Sequence, residues 1–570
     1  MAKFKSGLKS AIRKAAKEFY DLDVKPIVEH PLQEEHGDYS TNAAMVLAGR
    51  LDEKPSSIAD KLARSIEGQE LSYLESVETA LPGFINFRIK EEALLAGVNE
   101  INKKAAKYGS SETGRGKTVV IDYSAPNIAK SFGVGHLRST IIGQALYNLY
   151  EALGHRVVGD NHLGDWGTQF GALLAQINNY HLPIDKLTIE KLEELYTDFH
   201  REAEDKPELA GEARAWFKRL EDGDKEARDI WKKVIDVSMK EFNRIYELLG
   251  VKIDKALGES FYEGKMSEVI KQVKKKELSR KSEGAEIVEL DGLPPAILVK
   301  SDGATTYFTR DLATLKYRIK TWDPGLVIYE VGADQKLHFQ QLFAAAKALG
   351  WVEGRELVHV AHGLIRFATG KMSTRRGKTV KLEDVIMEAV KRARKIIDES
   401  ETGRGLSNKK KKEVARAVGI GALKYFDLLH HPSTDIVFDW EKMFVLEGNS
   451  GPYLQYTYAR ANSILKKAKA KKPVVDSRGA IVGELERPLI KYLYLLPEVI
   501  EESAQTFSPN LLCNYLFELA ARFNSFYARA PVIKAGDEKT KKLRLALTAA
   551  TAQVLKNGLT LLGLEAPERL

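Results

Sequence analysis

The sequence predicts a multidomain α/β protein: a parallel-sheet, nucleotide-binding core, a mixed unit before it and an all-helical region after it. Three observations carry this expectation. The chain has 570 residues, and at roughly 100–200 residues per domain it divides into about three to five units. Residues 118–158 read as strand, glycine-bearing loop, helix and strand, the βαβ unit of an open α/β sheet. From about residue 380 onward Ala, Leu, Lys and Glu recur in helical patterns.

In chain order, MAKFKSGLKSAIRKAAKEF reads as an amphipathic helix with Leu8, Ile12 and Phe19 on or near one face. It has no apolar core of the secretory kind; a transit peptide is the alternative. Residues 1–108 mix helical patterns with the strand-like run GFINFRI (83–89), an N-terminal α+β unit. The polar, glycine-rich stretch 109–117 is expected to be a linker. Val119, Val120 and Ile121 form a short apolar run that suits a buried parallel strand. Leu137, Ile141, Ala145, Leu146 and Leu149 recur at helical spacing, and Gly154 is placed to end that helix. His155–Val158 is the next strand, and segments 326–332 and 358–364 supply further strands of the same sheet. Residues about 185–275 are charged and helical and read as an insertion. The expected units are 1–108, 109–395 and 396–570, with 452–570 an all-helical domain of its own.

Hydrophobic residues make up 44% and charged residues 29%, a soluble globular balance. No stretch approaches ~18 consecutive apolar residues, so no membrane span is expected. Cys513 is the only cysteine, which excludes intrachain disulfides and cysteine-cluster metal sites. A reducing cytosol fits. Lys plus Arg exceed Asp plus Glu by 87 − 79 = 8, compatible with a polyanionic partner. Lysine runs at Lys274–Lys276, at Lys409–Lys412 and over Lys466, Lys467, Lys469, Lys471 and Lys472 add to that hint, although each alone reads as solvated surface.

Two GKT triplets fail the phosphate-loop pattern: the position five before Gly116 is Ser111, and that before Gly377 is Met372. The informative segment runs from Asp122 to Ser139, DYSAPNIAKSFGVGHLRS. Gly133 and Gly135 let backbone approach a ligand, the helix start offers free N–H groups and a favourable dipole, and His136 and Lys130 add a donor and a charge. Read alone, this is only a nucleotide-site candidate. A second segment, GKMSTRRGK (370–378), puts four cations within eight residues between glycines, a loop able to clamp phosphate charge or simply a solvated basic loop.

Together the two segments resemble the paired signatures of class I aminoacyl-tRNA synthetases, known as HIGH and KMSKS. The words HGDYSTNAA, SAPN…GHLRS, HLGDWGTQFG, GESFY, YFTRDLAT, GADQKLHFQQL, GPYLQYTYAR and FNSFYARAPV narrow the resemblance to the arginyl-tRNA synthetase family over nearly the whole chain. The resemblance implies a Rossmann-like parallel-sheet catalytic domain, an N-terminal additional domain touching the corner of tRNA(Arg), and a C-terminal anticodon-binding domain. It implies an arginine pocket of Asp122, Asn127, Tyr307, Asp311 and Gln335, with Tyr307 and Asp311 on one helical face. It assigns ATP to Gly133, Gly135, His136, Lys371, Met372 and Ser373, with His136, Lys130, Lys371 and Arg375 acting on the phosphates. Magnesium enters with ATP, and no protein metal site is expected. Phe84 and Asn86, with Phe87 beside them, are candidates for the RNA corner. Tyr456, Tyr458 and Arg460, with Phe526 and Tyr527, are candidates for the anticodon. The implied partners are tRNA(Arg), L-arginine and ATP, for a cytoplasmic monomer that needs RNA before it activates arginine.

The pattern has departures. Gly133 stands where the signature has its first histidine, and Thr374 where it has its second lysine; the resemblance suggests that Lys130 compensates. Ser131 stands where many relatives carry proline. Gly133 and Thr374 leave a non-catalytic RNA-binding paralogue as the alternative; Asp122 and Asp311 speak against a ligase for another substrate.

Overall fold

The computed structural model describes residues 2–31, 33–367, 380–471, 473–476 and 482–570. The N-terminal stretch is the helix Ala2–Tyr20. Leu8 and Ile12 are fully buried, whereas Phe19, in the last turn, is 46% exposed; Ala15 and Ala16 complete the packed face instead. Three strands follow, β1 (Tyr39–Thr41), β2 (Leu74–Ala80) and β3 (Phe84–Ile89), in an antiparallel sheet of order β1-β3-β2. Alternation along β3 buries Ile85, Phe87 and Ile89 and turns Phe84 and Asn86 to the opposite face.

Next along the chain come β4 (Thr118–Asp122), β5 (Arg156–Asn161) and the short β6 (Lys255–Ala256). An antiparallel trio follows, β7 (Ser279–Ser282), β8 (Ala285–Leu290) and β9 (Leu293–Val299), then β10 (Leu326–Gly332) and β11 (Glu356–His362). Strands β4, β5, β6, β10 and β11 form one parallel sheet in the order β11-β10-β4-β5-β6. Val119 and Ile121 pack with Ile141 and Ala145 of the helix Gly135–Ala152. Val120 faces the other way, towards Leu312 and Leu315 of the helix Tyr307–Trp322. Burial on both faces is why β4 reads as an unbroken apolar run. The chain runs from β4 outward to β5 and β6, then returns to β10 on the far side of β4. Ligands of open α/β sheets bind beyond the carboxyl ends of the strands at such a reversal.

Between β5 and β10 lie the helices Ile189–Asp205, Glu208–Glu221, Lys225–Leu249 and Met266–Lys275, and then the sheet β7–β9. Within the helical insertion expected over about 185–275 the short β6 is the exception to helix, and that sheet lies just beyond it, in a stretch for which the sequence suggested no strands. Its first turn has Glu283 and Gly284 both at positive φ, 48° and 81°, the pair a two-residue type I′ hairpin requires. Beyond the main sheet, β12 (Ile365–Phe367) pairs in parallel with β13 (Ile436–Phe438). The rest is helical, chiefly Leu382–Glu399, Asn408–Leu428, Gly451–Lys467, Pro509–Arg529 and Glu538–Leu561. Ser407, Ser450 and Asp537 cap three of these helices by accepting backbone N–H groups of Lys410, Tyr453 and Lys539. Cys513 is buried in this bundle, which pushes its thiol pKa well up. No helix among the described residues is long and apolar enough to cross a membrane.

Candidate active site

The loop leaving β4 adopts backbone conformations that ordinary residues avoid. Ser124, Ala125 and Ala129 have φ of 76°, 43° and 64°, each costing about 1–3 kcal/mol unless surroundings enforce it. The surroundings do. Ser124 N–H donates to Ser139 Oγ at 2.9 Å, Ala125 N–H to Asn161 Oδ1 at 3.0 Å, and Ala129 N–H to Ser238 Oγ at 2.9 Å. Tyr246 Oη lies 2.8 Å from Ser124 Oγ. So held, the loop presents Asn127 to solvent against the backbone of Gly164. A Cβ at Gly164 would stand 2.4 Å from Asn127 Oδ1, so this approach needs glycine.

The loop ends where the helix Gly135–Ala152 begins. Val134 N–H donates to Val380 O at 3.0 Å and Leu382 N–H to Phe132 O at 2.9 Å, so the chain just past the second signature is stitched to the first. Lys371, Met372, Ser373, Thr374 and Arg375 lie outside the described residues. Burial, aided by the charges of Lys130 and His362, pulls the His136 pKa down; a neutral imidazole at neutral pH follows. Lys130 is exposed, and its Nζ rests 5.1 Å from the Tyr196 ring centroid of the helix Ile189–Asp205.

Across the crevice the register sets Tyr329, Asp122 and Asp160 side by side on β10, β4 and β5. Both carboxylates are buried and share one guanidinium: Arg318 Nη2 donates to Asp122 Oδ2 and Nε to Asp160 Oδ2, each at 2.8 Å. Asp122 Oδ1 has no hydrogen-bond partner among the described residues. Burial raises the Asp160 pKa, with Arg318 opposing. Asp122 is thus tied to Arg318 through one oxygen rather than standing free.

Tyr307 and Asp311 share a face of the helix Tyr307–Trp322, Tyr307 being 65% exposed at its start. His338 Nε2 lies 2.6 Å from Asp311 Oδ2, and His162 Nε2 lies 3.7 Å from Oδ1. Burial would raise the Asp311 pKa, but the His338 hydrogen bond and the charges of His162, His338 and Arg318 bring it below the ordinary value. Gln335 is exposed in the turn after β10. Glu259 is pushed up to about 7 by burial, with Arg310 opposing and Asp311 adding to the rise. His162, His338, Arg318, Asp160 and Glu259 escaped the sequence reading. Three of them lie in words it singled out: HLGDWG, GADQKLH and GESFY.

At the RNA candidates, Phe84 and Asn86 line a cavity of about 470 Å³ with His30, Thr41, Asn42 and Leu81; Asn86 Oδ1 accepts Ser40 Oγ–H at 2.7 Å. Phe87 is core. On the helical bundle, the Arg460 guanidinium lies 4.7 Å from the Tyr456 ring and 6.0 Å from the Tyr527 ring, and donates to Asn524 Oδ1 at 2.7 Å. Tyr458, 3% exposed, and Phe526 are corrections: helical rotation turns both into the bundle core, away from any RNA.

Residues 97–440 match the family model for the catalytic domain of class I (R) tRNA synthetases. The parallel sheet, the reversal crevice and this match define a class I tRNA synthetase. Residues 3–89 match the arginyl tRNA synthetase N terminal domain and residues 454–570 the DALR anticodon binding domain. The chain is 43% identical to an arginine–tRNA ligase of Chloroflexus aggregans over 90% of this chain and 91% of that one. It is 39% identical to that of Halothermothrix orenii over the full length of both. Thermus thermophilus arginyl-tRNA synthetase superposes with a TM-score of 0.86 at 26% identity, covering 99% of this chain and 100% of that one. The chain belongs to the arginyl-tRNA synthetase family.

Proposed function

We propose that the chain activates L-arginine with ATP and transfers it to tRNA(Arg), releasing pyrophosphate and then AMP. The observation that carries this reading is Asp311, a carboxylate kept anionic by His338 at the reversal crevice, on the helix that also presents Tyr307. Guanidinium is always protonated and offers a planar fork of donors, for which a carboxylate is the natural partner. In this reading Asp311, Tyr307 and Gln335 receive the guanidinium, Asn127 holds the α-group, and Asp122 supplies charge through Oδ1 while Arg318 holds Oδ2. Lysine would leave buried acceptors unpaired, which can give roughly 10⁴–10⁵-fold rejection without editing.

ATP lies with its phosphates at the helix start, where Gly133 and Gly135 admit them and neutral His136 donates. Lys130 leaves Tyr196 to join them, Lys371 and Arg375 assist at the phosphates, and Lys371, Met372 and Ser373 bind ATP; magnesium arrives with ATP. The arginine carboxylate attacks the α-phosphorus in line and pyrophosphate leaves. The terminal ribose hydroxyl of the RNA then attacks the adenylate carbonyl and AMP leaves. Positioning and charge stabilisation supply most of the acceleration in both steps. Residues 1–108 meet the RNA corner, where Phe84 and the cavity beside it suit an unstacked base. Residues 109–395 catalyse, and 396–570 take the stem and anticodon, with Tyr456 and Arg460 as stacking groups. The protein works as a cytoplasmic monomer.

Arginine-dependent ATP–pyrophosphate exchange, with and without tRNA(Arg) and with lysine as control, tests the reading. Exchange with arginine and not lysine is expected, and only when RNA is present. Exchange without RNA removes the RNA requirement alone. No exchange, with RNA still bound, overturns the catalytic reading in favour of a non-catalytic RNA-binding protein.

A further inference from the structure

Three consecutive residues of the loop before the signature helix are gripped one by one by the helical insertion. Ala129 N–H donates at 2.9 Å to Ser238 Oγ, on the helix Lys225–Leu249. The Lys130 ammonium stands 5.1 Å from the Tyr196 ring centroid. The buried Ser131 hydroxyl donates to Glu193 Oε2 at 2.6 Å. Glu193 and Tyr196 both belong to the helix Ile189–Asp205. That helix is a fixed support: Leu192 and Leu195 are buried in the main core, and Thr188 caps its start by accepting Lys191 N–H at 3.3 Å. One turn before Glu193, Glu190 lies 3.7 Å from Lys381, which bridges to Gly133. Glu190, Glu193 and Tyr196, spaced by three, share the face turned to the loop.

The three contacts differ in strength. A cation against a ring at an exposed site is held weakly, so the ammonium can move off to phosphate. The Ser131 bond is of charge-assisted length, about 2.5–2.7 Å for a hydroxyl on a carboxylate, and holds. Lysine carries a point charge on a flexible four-carbon stem, so where its charge can reach depends on where its Cα is held. With Ala129 and Ser131 both pinned, the Lys130 Cα is fixed while its head swings. Misplacing a reacting or stabilising group by about 1 Å can cost about 10²-fold in rate. We infer that Glu193 is a positioning residue for the ATP step: through Ser131 it fixes the backbone from which Lys130 reaches the phosphates. The helical insertion thereby serves as the mould of the first signature loop. The inference rests on the arginine-activating reading above, in which Lys130 acts on the phosphates.

The test is arginine-dependent ATP–pyrophosphate exchange with tRNA(Arg), read as kcat and as KM for ATP and for arginine, with enough enzyme to follow slow variants. Ser131→Ala removes the bond without leaving a hydroxyl unpaired. It should lower kcat/KM for ATP about tenfold and leave KM for arginine within about twofold of the wild type. Glu193→Leu should do the same, whereas Glu193→Gln keeps an acceptor and should stay within about threefold of the wild type. In a Lys130→Ala background, Ser131→Ala should cost less than about twofold, because the group that the bond positions is gone. Thermal unfolding of each variant separates loss of fold from loss of position. An undiminished tenfold loss in the Lys130→Ala background overturns the inference while arginine activation stands. So does a rise in KM for arginine that matches the loss on ATP, a wild-type rate in Ser131→Ala, or one in Lys130→Ala. Absence of arginine-dependent exchange in the wild type overturns both.

Discussion

Arg318 shows most sharply how far single residues can be read from sequence. Asp311 and Tyr307 could be singled out because the word YFTRDLAT resembles the family's; their spacing of four added only that the two share a helical face. Arg318 sits seven residues beyond Asp311, on the stripe that carries Leu312 and Leu315, yet an arginine in a helix ending YRIKTW looks like surface. Only its place on an apolar stripe marks it, and what it meets there, Asp122 and Asp160, lies 196 and 158 residues away. Its removal sets two buried carboxylates against each other. Breaking a buried pair by deleting one partner costs about 3–5 kcal/mol, and that loss is expected for Arg318→Met in urea unfolding. The pH dependence has a definite sign. Burial already raises the Asp160 pKa, and Arg318 opposes the rise; without Arg318 the folded-state value climbs further. A carboxyl with a raised folded pKa contributes stability below its unfolded value of about 3.9 and loses it as pH rises through the folded value. The Arg318→Met deficit should therefore be smaller at about pH 5 than at about pH 8. Equal deficits at the two pH values would mean that the carboxylates find another counter-charge.

At the scale of elements, β4, the helix after it and β5 were legible because burial on both faces gives an apolar run, and a helix over the sheet gives a 3.6-residue period. The sheet β7–β9 was not. Its first strand, Ser279-Arg280-Lys281-Ser282, is wholly polar, and lysine-rich sequence on its N-terminal side hides the change of period. The Asp291-Gly292 pair between β8 and β9 was the available turn signal. The loop after β4 was legible as a ligand loop from its glycines, but its shape depends on Ser139, Asn161, Ser238 and Tyr246, from three separate elements. That dependence makes Gly164 informative. An added Cβ would meet the tip of the Asn127 side chain at 2.4 Å and otherwise nothing closer than 3.5 Å. A side-chain tip can rotate away, so Gly164→Ala should unfold within about 1 kcal/mol of the wild type. The rotated asparagine, however, no longer faces the proposed amino-acid site. KM for arginine should rise about tenfold in exchange, the loss of roughly one hydrogen bond to a charged group. An unchanged KM would remove Asn127 from the arginine pocket; a large loss of stability would mean that the loop cannot yield.

For the whole molecule, the word HGDY, near the start of the family resemblance, acquires a physical role that no local pattern discloses. Asp38 accepts Ile89 N–H at 2.7 Å and pairs with Lys491 at 3.0 Å and Arg487 at 3.3 Å. Glu498, from the helix Leu496–Gln505, answers it: Lys5 Nζ lies 2.8 Å away, and His30 Nε2 and Tyr39 Oη each 3.3 Å away. These contacts join the N-terminal sheet to the helical bundle across more than 440 residues of chain, a separation that defeats any reading by period or spacing. His30 also lines the cavity of Phe84 and Asn86, so the docking fixes the proposed RNA-corner site relative to the anticodon-side helices. Burial would raise the Glu498 pKa, but His30 and Lys5 bring it below the ordinary value. A lowered carboxyl contributes stability above its unfolded value of about 4.3 and loses it as pH falls through the folded value, so this joint is intact at neutral pH and weakens in acid. Glu498→Gln should loosen it at neutral pH. Hydrogen exchange along β3 is then expected to speed up at pH 7, toward the rate that the wild type reaches only in acid after correction for intrinsic exchange. KM for tRNA(Arg) in aminoacylation should rise several-fold, because two RNA-binding surfaces held at a fixed spacing act as one site and two mobile ones do not. KM for arginine should stay constant, since Glu498 touches none of the pocket. Exchange along β3 unaltered by Glu498→Gln would show that Asp38, Arg487 and Lys491 hold the joint alone; faster exchange with KM for the RNA unchanged would separate the N-terminal cavity from RNA recognition.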